Sequence, residues 1–403
     1  MTGRWRVLTL MTTAQAGASV VQQALGSLSP IFVATFGLSK AQLGVMFTAL
    51  MLGSALFVGA AGVMTDHWGE RRIMLLSGLA MTFALLAATL FASYAWIVAC
   101  MAVFGAAYAA STPAGGRAIL AWFDRDRGFA MGIRQTGVPV GGLFGALTLP
   151  LVAHVAGYRG AFAFAAAIVA VTTLIAYIGY REQRDGAAPA TTLGSVARGM
   201  RALARDPRLI AVTLTCMVLV SAQAAMNAFL TVTGVAVVGT SAAVAALAFA
   251  CAQGAAACGR LAWGYVSDRV LHGERLIPFA AICVLAALAS VALALLHGGA
   301  LATLFVAAIV LGFSAAGWNG LMAAAVSEIG GSERAASALG IALTAIFLAS
   351  SAAPTGFGAL ADHTSLRAAW LATAALSVLG VAPVLWLRGH QAPVARRDGS
   401  GRG

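Results

Sequence analysis

Twelve runs of about 20 or more apolar residues constrain this chain more than any other feature. They lie near residues 10–36, 41–64, 73–93, 95–123, 128–153, 159–180, 209–233, 242–266, 276–296, 301–327, 335–360 and 368–388. In lipid a run of this length satisfies its own backbone only as a helix, so the pattern predicts an all-α polytopic membrane protein with 12 transmembrane helices. Composition agrees. Hydrophobic residues make up 61% of the chain, charged residues 9%, and the mean hydropathy is +0.90, which leaves too few charges to coat a water-soluble domain.

One long polar stretch interrupts the series, at 181–208. It divides the chain into an N-terminal six-helix bundle (1–180), a linker (181–208), a C-terminal six-helix bundle (209–388) and a basic tail (389–403). The halves share a frame. Gly62 and Asp66 stand 202 residues before Gly264 and Asp268, an offset of half the chain, which reads as a duplication with pseudo-twofold symmetry.

A net charge of +12 in a soluble protein would suggest nucleic acid, so the position of the basic residues decides. Of the 25 Lys and Arg, 19 fall at the N-terminus, in the linker, in the tail or in alternate turns, while only Lys40, Arg159 and Arg367 fall in the opposite turns. Loops rich in Lys and Arg stay in the cytoplasm. The expectation is therefore an inner-membrane protein with both termini cytoplasmic, a lipid bilayer as its partner and no nucleic acid. Arg4 and Arg6 ahead of Ala14-Gln15-Ala16 imitate a secretory leader, but the uncharged stretch from Val7 to Phe36 outruns a leader's apolar segment of about 15 residues. It is read as the first span. The five cysteines all lie in apolar runs without metal-ligand spacing, and are read as packing residues; no metal or cofactor is expected.

The stretch Gly62-Val63-Met64-Thr65-Asp66-His67-Trp68-Gly69-Glu70-Arg71-Arg72 resembles the loop between the second and third helices of the major facilitator superfamily, and the resemblance covers essentially the whole chain. It implies that family's fold, two six-helix bundles with inverted repeats inside each. It also implies a gating role for Gly62, Asp66, Gly69, Arg71 and Arg72, for Gly264, Asp268 and Arg269 in the second copy, and for Asp124, Arg125, Glu333 and Arg334 in the analogous later turns. His67 and Glu70 depart from the basic residues usual at those places. In physical terms, Gly62 permits a close helix approach and Asp66 can pair with an arginine at the bilayer edge. Solvated topology anchors are the plainer reading of the same charges.

Three ionisable residues fall inside the spans, and all are arginine: Arg117, Arg134 and Arg260. Each lies seven or eight residues from a charged turn, about 10–12 Å inward by helical rise. A guanidinium stays charged and matches a carboxylate with two parallel hydrogen bonds, which suits it to an anionic substrate. Snorkelling to the headgroups, or pairing with a loop acid such as Asp124, is the structural alternative. Gly259-Arg260-Leu261-Ala262-Trp263-Gly264 leading into Ser267-Asp268-Arg269 resembles the eighth helix of the oxalate/formate and monocarboxylate carriers, which implies that Arg260 binds a substrate carboxylate. Its symmetric place in the first half is Val58, so the paired arginines of nitrate carriers are absent.

Neutral polar residues near mid-span complete the candidate site: Gln22 and the adjacent Gln23, Gln135, Gln223, Asn227, Gln253, Trp318 and Asn319. Asn227 follows Gln223 by four and shares its helix face, and Gln253 shares a face with Arg260. Glycines at 137, 141, 142 and 145, with Pro139, mark a closely packed, bent fifth helix; Val138 separates Gly137 from Pro139, so antiport is not inferred. Every Asp and Glu lies in a loop or at a helix end, with Glu328 innermost, which argues against carriage of organic cations. No buried nucleophile has a base beside it in sequence, so no enzyme is expected. The expected function is a monomeric secondary carrier of a small organic anion, a monocarboxylate, with proton coupling permitted. The alternative is efflux of neutral or lipophilic compounds.

Overall fold

Among the described residues every regular element is helical, and ten helices are long and apolar enough to cross a membrane. The computed structural model describes residues 3–123, 127–182, 203 and 205–390, without the side chains of residues 59, 63, 66, 127–129, 332–337 and 390. Two features raise the ten to twelve spans. Arg127–Gly179 is one continuous element bent at Gly157, whose φ of 65° with ψ of −177° turns the chain between the fifth and sixth spans. Glu70–Ala87 is an equally regular helix that carries Glu70, Arg71 and Arg72 in its first turn.

The spans, in order, are Gly3–Phe36, Lys40–Trp68, Glu70–Ala87, Tyr94–Trp122, the two arms of Arg127–Gly179, Pro207–Val238, Ala242–Val270, Leu276–Ala294, Leu301–Gly331, Ala338–His363 and Leu366–Gly389. The third begins three residues before the sequence expectation of 73, because Gly69 adopts a φ of 81° and lets the charged first turn start a new helix at once.

Three spans are interrupted, the twelfth by a turn at Gly380 between helices Leu366–Leu379 and Val381–His390. The first tightens to a 3₁₀ turn at Leu25–Leu28. The tenth loses helical form at 316–318, between helices Leu301–Ala315 and Asn319–His363. A broken helix frees backbone carbonyls inside the membrane, which is tolerated only where other groups or a cavity satisfy them.

Within the N-terminal half the fifth span lies against the first. A Cβ on Gly141 would sit 2.1 Å from the Ala16 carbonyl oxygen, and one on Gly145 would sit 2.7 Å from that of Val20. These positions must therefore be glycine for the two backbones to meet.

Hydrogen bonds between the halves join the second span to the eleventh, the first to the seventh and the fifth to the eighth. Farthest from the chain ends, the Asp362 carboxylate accepts from the Lys40 and Ala41 backbone N–H groups, at 3.0 and 2.7 Å, and pairs with Lys40 Nζ at 3.4 Å. Next, Thr48 bonds to the Ser351 carbonyl and lies 2.8 Å from Thr355 Oγ1. Deeper still, Asn227 Nδ2 donates to Gln23 Oε1 at 2.9 Å. Among the described residues the series ends at Arg260. Beyond it, nothing lies within 4 Å of where a side chain on Gly62 or Gly264 would begin. Among the described residues the hydrogen bonds between the halves thus lie on the far side and at mid-depth, and none lies beyond Arg260 on the side that carries the chain ends.

Candidate functional site

Gly259 positions Arg260. A Cβ there would sit 2.3 Å from the Phe313 carbonyl oxygen, so only glycine lets the eighth span press against the tenth where the tenth breaks. The break supplies an acceptor, and Arg260 Nε donates to the Ala316 carbonyl at 3.3 Å. Arg260 Nη1 donates across the molecule to the Gln135 carbonyl at 3.0 Å. Both acceptors are neutral backbone oxygens. Among the described residues no carboxylate forms an ion pair with Arg260, which therefore keeps an uncompensated charge between the halves.

Its expected neighbours divide into two groups. Gln135, whose side chain is exposed, and Asn319, which is half-buried and bonds to the Ala316 carbonyl at 3.3 Å, adjoin Arg260 through these backbone contacts. Trp318 follows in the same break and is buried, its Nε1 without an acceptor. Gln253, Asn227 and Gln23 instead join one another across the halves: Gln253 Nε2 lies 3.4 Å from the Gln23 carbonyl and 3.5 Å from Asn227 Oδ1. Gln253 is thus hydrogen-bonded into that second group, with no bond to Arg260 despite the shared face. Gln223 is buried on the helix that carries Asn227, and Gln22 Oε1 is buried without a partner.

The three arginines have unlike surroundings. Arg117 Nε pairs with Glu70 Oε2 at 3.4 Å, and Glu70 also accepts from Tyr180 Oη at 2.6 Å. Asp124, the loop acid expected to pair with Arg117, lies outside the described residues. Glu70 is only 3% exposed, so it serves as the buried anchor of this cluster where the sequence suggested a loop acid. Glu182 lies against it, and burial together with the Glu70 charge pushes the Glu182 carboxyl above the usual carboxylate range. Arg134 is sealed inside the N-terminal half at 1% exposure, and its Nη2 donates to Gln15 Oε1 at 2.7 Å and to the Ser111 carbonyl at 3.1 Å.

Sequence reading missed Gln15, Ser19 and Tyr108. Gln15 Nε2 reaches Tyr108 Oη at 3.0 Å and Ser19 Oγ at 3.3 Å. The signal was present as a polar stripe at four-residue spacing, Gln15, Ser19 and Gln23, on an otherwise apolar first span.

Of the expected gating residues, Arg71 stacks on Tyr177, 4.3 Å from its ring centre, and donates to the Tyr177 carbonyl at 3.1 Å, which keeps it in its own half. Asp268 pairs with Arg275, which also binds Glu328 Oε1 at 2.6 Å and is held above its ordinary pKa by that hydrogen bond. Arg72 and Arg269 are exposed, and Gly69 starts the third span. The Asp66, Glu333 and Arg334 side chains, with Asp124 and Arg125, lie outside the described set.

The family model for the Major Facilitator Superfamily matches residues 11–354. An uncharacterised MFS-type transporter of Mycobacterium tuberculosis (strain CDC 1551 / Oshkosh) is 29% identical over 372 residues, 91% of this chain and 81% of that one. Two partial likenesses accompany it. The multi-drug resistance efflux pump PmrA of Streptococcus pneumoniae is 27% identical over 35% of this chain and 38% of its own. The probable sulfoacetate transporter SauU of Cupriavidus necator is 25% identical over 39% and 37%. In structure, a bacterial homologue of the human lysosomal transporter Spinster, inward-facing and unoccupied, superposes with a TM-score of 0.78 over 98% of this chain and 99% of that one, at 18% identity.

Proposed function

Because the chain belongs to the major facilitator superfamily, and is therefore a membrane transporter, we propose that its substrate is a small organic anion, a monocarboxylate in the simplest case, bound at Arg260. The observation that carries this reading is the pair of carbonyl acceptors, Gln135 and Ala316, in place of a carboxylate. A substrate carboxylate forms stronger, charge-assisted bonds than either carbonyl. It would displace the Gln135 carbonyl, which is the termini-side tie between the halves. Binding is thereby linked to the rocking of residues 1–180 against residues 209–388. Trp318 and Asn319 at the helix break, and the Gln22, Gln23, Gln223, Asn227 and Gln253 group deeper in, would contact the rest of the substrate. The partial likeness to a sulfoacetate transporter, whose name denotes an anionic substrate, supports this class.

In this reading the basic turns place both termini in the cytoplasm, and the side without described bonds between the halves faces inward. The repeated turns, Gly62 to Arg72 and Gly264 to Arg269, would meet when that side closes, bringing the open space at Gly62 and Gly264 into use. The carrier works as a monomer in the inner membrane, and proton coupling is compatible with the buried Glu70 cluster.

Efflux of neutral or lipophilic compounds is the second reading, favoured by the partial likeness to a multidrug pump. Reconstituted protein separates the two. Saturable uptake of labelled two- to four-carbon monocarboxylates into proteoliposomes supports the anion reading. Raised drug resistance in expressing cells, with no organic-acid flux, would overturn it.

A further inference from the structure

Arg134 poses a separate problem. Its side chain is 1% exposed, yet Nε and Nη1 have no hydrogen-bond partner. Among the described residues no carboxylate forms an ion pair with it, and its bound partners, Gln15 Oε1 and the Ser111 carbonyl, are neutral. An unpaired cation in a protein interior is costly and normally acquires a counter-charge or loses its proton. Arginine resists the second course.

The space for a counter-ion is present. A cavity of about 20 Å³ is lined by Arg134, Gln15, Ser111 and Gly115 on one side and by Met11, Met74 and Met81 among others. All its lining residues belong to the first six spans, so it does not open between the halves. Gly115 is part of the construction: a Cβ there would sit 2.6 Å from Arg134 Nε and Nη2 and would push the guanidinium aside. The hydroxyls of Ser77 and Ser111 donate to the Met74 and Tyr108 carbonyls, at 3.1 and 2.8 Å, which leaves Arg134 and the Thr173 hydroxyl as the donors in the lining that remain free for a guest.

We infer that this cavity is a structural site for one monoatomic anion of halide size, chloride in practice, which neutralises Arg134 inside the N-terminal half. A volume of about 20 Å³ is of the size that a single water-sized particle needs. A water would satisfy the N–H groups and leave the charge uncompensated; a halide does both, and the methionine thioethers offer it a polarisable wall. The site is independent of the substrate proposed at Arg260.

The test uses the purified full chain in detergent. At constant ionic strength, replacing sodium gluconate by sodium chloride should raise the melting temperature saturably, by about 3 °C. The rise should vanish in Arg134→Gln and persist in Arg260→Ala. Crystals soaked in sodium bromide should show an anomalous peak beside Arg134, a result that stands even if the Arg134 variant does not fold. Equal melting in both salts without a bromide peak would overturn the inference in favour of a bound water. A chloride response lost in Arg260→Ala but kept in Arg134→Gln would overturn it in favour of the cleft.

Discussion

Arg134 and Arg260 are the same residue, each within a span and each close to a charged turn, yet the fold gives them opposite conditions. Arg134 is enclosed by its own half, bonded to Gln15 and the Ser111 carbonyl, with Gly115 cut away to admit it. Arg260 bridges both halves through carbonyls of the fifth and tenth spans. An arginine held within one rigid half stabilises that half. An arginine whose bonds cross between halves is positioned to sense a ligand, since the bond to Gln135 has to break when the halves move.

Stability offers the largest separation between the two. Arg134→Ala leaves a cavity and strands Gln15 and the Ser111 carbonyl, so unfolding free energy in detergent should fall by about 2–4 kcal/mol. Arg260→Ala should change it by less than about 1 kcal/mol, because Asn319 Nδ2 still donates to the Ala316 carbonyl and the bond to the Gln135 carbonyl is exposed. Equal losses from denaturant titration would erase the distinction. Access separates them next. In a cysteine-free background, Gln135→Cys should react with a membrane-impermeant maleimide from the side of the chain ends at least about tenfold faster than Ser111→Cys, which lines the cavity beside the buried Arg134. Comparable rates would mean that the N-terminal half opens.

The helices were legible in the sequence because each run is long and apolar enough to demand one structure. The cluster at Glu70 was not. Its burial depends on Arg117 and Tyr180, which lie 47 and 110 residues away, a pairing that helical periodicity does not encode. The breaks at 25–28 and 316–318 escaped for a related reason, since neither Leu25-Gly26-Ser27-Leu28 nor Ala316-Gly317-Trp318 contains proline. Arg260 stood out because symmetry placed Val58 opposite it. Arg134 was equally visible, but only the fold reveals that the first span closes over it.

Two smaller effects refine the contrast between what ties the halves and what holds one half together. A double-mutant cycle on Gln23→Ala and Asn227→Ala should give a coupling of about 0.6 kcal/mol, the usual size for an interhelical hydrogen bond in a membrane. No coupling would mean that this bond does not tie the halves. Glu182 tests the other kind of contact. Its raised folded pKa means that the folded state binds the proton more tightly than the unfolded chain, so its contribution falls as pH rises from the ordinary carboxylate range through the raised value. Glu182→Gln should therefore flatten the decline in melting temperature over that window. An unchanged profile would detach Glu182 from Glu70.

Transport by Arg260→Ala in proteoliposomes, set beside the unmodified chain and Arg134→Gln at matched protein content, decides whether Arg260 is the substrate's partner. If Arg260 receives the substrate carboxylate, uptake of labelled monocarboxylate falls at least about 100-fold in Arg260→Ala, as expected for loss of a charge-assisted pair worth about 3 kcal/mol. Uptake by Arg260→Ala equal to that of the unmodified chain would contradict it.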